Sequence, residues 1–132
     1  MRFATLIITA LLLFVPSARA GEALTCDTAT DNAEHIACAD REFRAQDAEL
    51  NRVYKLLLKS ALGDVKPLHG YGPLPYMALK DAQRAWVGFR DSNCHWKSTQ
   101  FYGGTEQAVI MASCRAIATR DRVNELKAIQ QN

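Results

Sequence analysis

Apolar residues recur at helical spacing over most of the chain, and they stop where Gly and Pro appear. Between Asp31 and about Leu62 there is no Pro or Gly. Ile36, Phe43, Leu50 and Leu57 fall seven residues apart there, with Val53, Tyr54 and Leu58 filling the adjacent positions. This spacing puts one apolar stripe along a single long amphipathic helix. Asp31 stands where an N-cap belongs, with Glu34 three residues on as its return partner and Thr28 or Thr30 as alternative caps. Gly63 is the expected stop. The following stretch, 63–75, carries Pro67, Gly70, Gly72, Pro73 and Pro75, which neither a helix nor a central strand accepts, so it reads as a loop.

A second helix is predicted from Pro75 or Tyr76 to about Ser98. Leu79, Ala82, Gln83, Trp86, Phe89, Arg90 and Asn93 share one face at three- and four-residue steps, with Trp86 as the anchor. Gly103-Gly104 breaks the chain again. Thr105, with Gln107 or Ala108, then opens a third helix. Its expected inner stripe is Val109 or Ile110, Cys114, Ile117, Asp121, Asn124 and Ile129, flanked by Val123 and Leu126. No segment alternates as a strand does, and no repeat recurs at a fixed period. The fold class that follows is all-α, a small three-helix bundle with a long first helix.

The first twenty residues follow a different pattern. Arg2 is a short positive start, Leu6 to Val15 an apolar core, Pro16 a break, and Ala18-Arg19-Ala20 a small-residue cleavage site. They read as an export signal cut after Ala20, leaving residues 21–132 as one domain. The apolar stretch is short for a membrane span, no second one follows, and position 21 is Gly rather than a lipid-bearing Cys. The expected location is periplasmic or secreted, with no membrane anchor in the mature form. Losing Arg2 and Arg19 takes the basic residues from 16 to 14, equal to the 14 acidic ones. A neutral chain lacks the basic excess that a phosphate backbone selects, which argues against nucleic acid as a partner.

Export also changes how the cysteines are read. Cys26, Cys38, Cys94 and Cys114 all lie beyond the signal, so a disulfide framework is the default, and four cysteines allow three pairings. Pairing neighbours, Cys26 with Cys38 and Cys94 with Cys114, is favoured because each bridge would clip a chain end or a turn onto a helix. Each would stabilise by about 3 kcal/mol in the chain-entropy account. The rival is a four-cysteine zinc site, but no two cysteines have the short spacing that such sites prefer. There is also no Cys-x-x-Cys for redox work.

Among residues that could carry chemistry, Asp40, Asp47 and Tyr54 line one edge of the first helix, with Asn51 four residues after Asp47. On the second helix Gln83, Arg90 and Asp91 sit beside Trp86. Two polar edges meeting in a bundle predict a hydrogen-bonded network, such as Asp47 or Asn51 with Arg90 or Gln83, that sets the register of the helices. The sharper reading makes Asp47 and Asp91 an acid–base pair, but a domain this small offers little cleft, and no metal-binding or nucleophile motif accompanies them. His35, His69 and His95 are scattered without metal-ligand spacing, and surface positions suit them. No cofactor and no catalytic activity are expected. The loop offers more for recognition: Lys66, Leu68, His69, Tyr71 and Leu74 stand on a segment stiffened by prolines, which loses less entropy on docking. Alternatively, Leu68, Tyr71 and Leu74 cover an open end of the bundle.

Several of these residues form a recognisable set. Cys26 and Cys38 precede the core of the first helix. Asp47, Leu50, Asn51 and Tyr54 make an Asp-x-x-Leu-Asn-x-x-Tyr run, and Gln83, Trp86, Phe89, Arg90, Asp91 and Cys94 make a Gln-x-x-Trp-x-x-Phe-Arg-Asp-x-x-Cys run. Gly103-Gly104, Cys114 and a closing Thr119, Arg122, Leu126 complete it. The set resembles the LprI-like family of exported proteins, named for a lysozyme inhibitor. The resemblance implies a helical periplasmic or secreted domain and a partner such as lysozyme or another cell-wall hydrolase. The motif residues look like core and staple positions, so they do not mark an inhibitory surface. The neutral charge is not what capture of a strongly basic lysozyme would favour, although it leaves room for local acidic patches, for example around Asp27, Asp31 and Glu34. The other reading is an envelope adaptor or immunity-type protein that never meets lysozyme.

Overall fold

A computed structural model of the chain describes residues 26–63 and 75–130. The predicted signal and the loop residues Lys66, Leu68, His69, Tyr71 and Leu74 lie outside the described residues. Three helices run in order, α1 (Asn32–Gly63), α2 (Pro75–Thr99) and α3 (Glu106–Gln130), and the described residues contain no strand.

Local chemistry sets their ends. Asp31 caps α1 by accepting the Glu34 amide on Oδ1 at 2.8 Å. Glu34 turns back as expected, but its carboxylate accepts from the amide and hydroxyl of Thr30, at 2.7 and 3.0 Å, one residue beyond the cap itself. Gly63 ends α1, and Pro75 opens α2 at the position where a missing N–H costs nothing. After Thr99 the chain turns through successive short-range bonds, Phe101 N to Ser98 O, Tyr102 N to Thr99 O and Gly104 N to Phe101 O. Gly103 sits at φ +78°, in the left-handed region that a side chain makes costly.

Both neighbour disulfides form. Cys26–Cys38 ties the N-terminal segment to α1, and Cys94–Cys114 ties α2 to α3. Between them and the far end, the core changes character. Ala39, Ala112 and Ala116 are buried near the disulfides, where small side chains let α1 and α3 come close. Leu50, Val53, Leu57, Val123 and Leu126 form the aliphatic core further down, with Tyr54, Leu79 and Trp86 packed against it. Glu49 adds a bridge between α1 and α3, 2.7 Å from Lys127, while also pairing with Arg52 at 2.7 Å.

Two expected faces are corrected. The buried residues of α3 are Ala112, Ala116, Thr119, Val123 and Leu126, whereas Ile117 and Ile129 are 40% and 54% exposed and Asp121 and Asn124 are also exposed. The stripe inferred from large side chains is turned by one residue, about 100°. The true stripe is built largely from Ala and Thr, which simple hydrophobicity undervalues. On α2 the inner face runs through Leu79, Gln83, Trp86, Arg90, Cys94 and Ser98, leaving Ala82 exposed and Phe89 66% exposed. The bundle takes the Arg90 side because that guanidinium finds its partners there.

Replacing the fully buried Leu126 by Ala should cost about 2–5 kcal/mol in urea unfolding, while Ile129→Ala should change stability by less than about 0.5 kcal/mol. Equal costs would restore the face expected from the sequence. The hydrogen bonds from Arg52 and then Lys127 hold the Glu49 carboxyl down at about 2, below its ordinary 4.5. Its stabilising effect is therefore complete above about pH 4.5 and disappears as pH falls toward 2. Melting curves of the parent and Glu49→Gln should differ at pH 6 and converge near pH 2, with screening by solvent keeping the difference small.

Candidate functional site

The polar edges of the three helices meet at Arg90, whose side chain is only 5% exposed. Its guanidinium lies over the ring of Phe43 from α1 and the ring of Trp86 from α2, 5.2 Å from each centroid. Arg115 of α3 lies over Phe43 at 4.2 Å, and Arg122 of α3 over Trp86 at 5.6 Å. Cations and rings therefore alternate across the bundle in the order Arg115, Phe43, Arg90, Trp86, Arg122. Each planar guanidinium is attracted to the negative face of a ring, and Arg suits such stacking better than Lys.

Carboxylates and hydroxyls balance the charge. Asp91 accepts from Arg90 Nε at 2.9 Å and sits 3.6 Å from Arg115 Nε, close enough for an ion pair but too far for a hydrogen bond. Asp47 of α1 stands 3.9 Å from Arg90 Nη1. The same nitrogen donates to the hydroxyl of the fully buried Thr119 at 3.3 Å, and that hydroxyl donates in turn to the Arg115 carbonyl at 2.7 Å. Arg122 donates from Nε to Gln83 at 3.2 Å and from Nη1 to Glu125 at 2.7 Å.

The sequence-predicted residues divide accordingly. Asp47, Trp86, Arg90 and Asp91 come together. Gln83 belongs to the same assembly through α3 rather than α1. Asn51 stays on its own helix, bonding the carbonyl and carboxylate of Asp47 at 2.8 and 3.1 Å, so it does not reach across to α2. Tyr54 packs against the aliphatic core. Asp47 and Asp91, considered above as an acid–base pair, each face the Arg90 guanidinium. No motif or helical stripe in the sequence marks Arg115. Its one available clue is its place four residues before Thr119, on the same face. His95 is exposed, and the half-buried His35 bonds the Asp31 carbonyl through Nδ1 at 2.8 Å.

Among the described residues no cluster of His, Cys, Asp and Glu could hold a metal ion, and no helix is long and apolar enough to cross a membrane. Among the described residues the surface carries open depressions. One of about 530 Å³ lies between the ends of α1, α2 and α3, lined by Leu57, Ser60, Ala61, Pro75, Leu79 and Ile129. Another of about 410 Å³ lies beside the α2–α3 turn.

Comparison with known proteins gives a consistent result. The model of a family described as lysozyme inhibitor LprI matches residues 26–126, which take in both disulfides and all of the stacked column. The uncharacterized protein R02472 of Rhizobium meliloti (strain 1021) is 36% identical over 113 residues, covering 81% of this chain and 79% of its own length. No solved structure shows significant similarity to the chain.

Arg90→Ala should lower stability by about 2–4 kcal/mol in chemical unfolding, through loss of two ring contacts and its charged hydrogen bonds. Arg90→Lys should recover the smaller part of that loss, since an ammonium cannot stack flat between two rings. Full recovery by Lys would mean that charge alone matters at this position.

Proposed function

The chain belongs to the LprI lysozyme inhibitor family, and from that premise we propose that it is an exported, non-catalytic protein that binds lysozyme, or another peptidoglycan hydrolase, and blocks its cleft. The observation that carries this reading is the extent of the family match, residues 26–126, which takes in both disulfides, all of α1 and α2 and most of α3 rather than one shared motif. The structure is consistent with such work. An inhibitor acts by presenting a surface that stays in shape while a partner closes on it, and it benefits from little conformational entropy left to lose. Two disulfides and a buried Arg90 column provide that stiffness in a small bundle. Disulfides also suit the oxidising space outside the cytoplasm, in keeping with a periplasmic or secreted location. Arg90 at the centre of the column is buried, so in this reading the column supports the surface rather than contacting the enzyme.

The test is a turbidity assay with the oxidised protein, residues 21–132, titrated against chicken-type, goose-type and invertebrate-type lysozymes. Dose-dependent slowing of lysis by at least one enzyme is expected. Flat activity against all three at micromolar protein would overturn the proposal. Recovery of a different envelope protein in a pull-down would then support the adaptor reading.

A further inference from the structure

We propose that the surface which meets the hydrolase is the disulfide-clamped end of the bundle, centred on Tyr102 in the α2–α3 turn, and that its occupant is the saccharide cleft of a basic lysozyme. This rests on the inhibitor reading above and specifies which face of the domain carries it out.

Three large side chains are left in solvent within seven residues: Trp96 is 61% exposed, Phe101 40% and Tyr102 85%. Aromatic residues of this kind dominate the energetics of protein interfaces, because each buries a large rigid area at the cost of few rotors. Tyr102 offers a flat ring of roughly the size of a sugar and a phenolic hydroxyl that can donate to a carboxylate, which is the chemistry of a saccharide cleft.

The turn is held in shape from several sides. Cys94–Cys114 joins the two helices that lead into and out of it. Tyr102 N bonds Thr99 O at 3.1 Å and Gly104 N bonds Phe101 O at 3.0 Å, on either side of Gly103 at φ +78°. A Cβ at Gly104 would lie 3.3 Å from the Phe101 carbonyl, a tight contact that the turn would have to relax slightly to accept. Asn32 of α1 donates to the Thr105 hydroxyl at 2.8 Å, fastening the third helix to the same end. An exposed aromatic pair on a turn braced in this way loses little entropy on docking. Beside it, the 410 Å³ depression lined by His95, Thr105, Gln107 and Met111 leaves room for a protruding side chain of the partner.

Charge selects the occupant. The Asn32–Thr105 bond brings the start of α1 alongside the turn, and with it Asp31 and Glu34, while Glu106 follows Thr105 directly. Asp27 is exposed on the segment that Cys26–Cys38 holds to α1. Residues 26–41 and 95–107 carry five carboxylates, Asp27, Asp31, Glu34, Asp40 and Glu106, against the two cations Arg41 and Lys97, so carboxylates are in excess along the segments that build this end. An aromatic knob with an acidic surround complements a basic enzyme, and such patterns mainly raise the association rate.

The decisive experiment measures inhibition constants for the lysozyme that the parent protein inhibits best. Tyr102→Ala should weaken inhibition about tenfold or more, with an unchanged melting curve because the side chain is exposed. Tyr102→Phe reports the share of the hydroxyl. A double variant, Asp31→Asn with Glu106→Gln, should slow association and reduce its dependence on salt. Unchanged inhibition by both Tyr102→Ala and Trp96→Ala would overturn the proposed face while leaving the inhibitor reading intact. So would loss of inhibition confined to Leu68→Ala, His69→Ala or Tyr71→Ala. A parent protein that inhibits no lysozyme would overturn both.

Discussion

Arg90 is the group on which the rest of the molecule depends. It is the one cation buried among the described residues, and all three helices contribute to holding it: Phe43 and Asp47 from α1, Trp86 and Asp91 from α2, Thr119 from α3. A buried guanidinium is unfavourable unless its donors and its faces are both occupied. That requirement leaves α2 few orientations in which Arg90 points inward and Phe89, its neighbour, points out. An aliphatic side chain at position 90 could fill the space, but it would tolerate rotation or sliding of α2 that the stacked rings and directional hydrogen bonds do not.

The bundle consequently has two unlike ends separated by this column. On one side Leu50, Val53, Leu57, Val123 and Leu126 pack as an ordinary aliphatic core. On the other, Ala39, Ala112 and Ala116 bring α1 and α3 together, and the two disulfides do the work that larger side chains would otherwise do. A domain of this size has limited apolar area to bury, so covalent closure is an economical substitute at the end with the smallest core residues. The same closure leaves that end free to expose Trp96 and Tyr102 without loosening the fold.

Membership of the LprI family and the structure speak to different things. Trp86, Arg90, Cys94, Cys114 and Thr119, all inside the matched range, are in the column or the staples and account for why the chain takes this shape. Function as an inhibitor would lie on the exterior, where Tyr102 is 85% exposed.

Helix number, helix limits and the neighbour pairing of cysteines were legible in the sequence, because Asp31, Gly63, Pro75 and Gly103 act through local backbone chemistry that needs no tertiary partner. The meeting of Asp47 with Arg90 was also foreseeable, since both lie on polar edges at helical spacing. Which face of α3 turns inward was not. Ile117 and Ile129 outweigh Ala116 and Thr119 on any hydrophobic scale, yet α3 is buried through the small residues because α1 lies close and Thr119 must meet Arg90. Nor could the sequence show that Arg115 and Arg122 extend the stack, or that Phe89 is left outside. Periodicity establishes that a helix has an inner face, but the choice between two adjacent faces rests with the neighbouring helices, whose shape and charge exist only once the bundle has assembled.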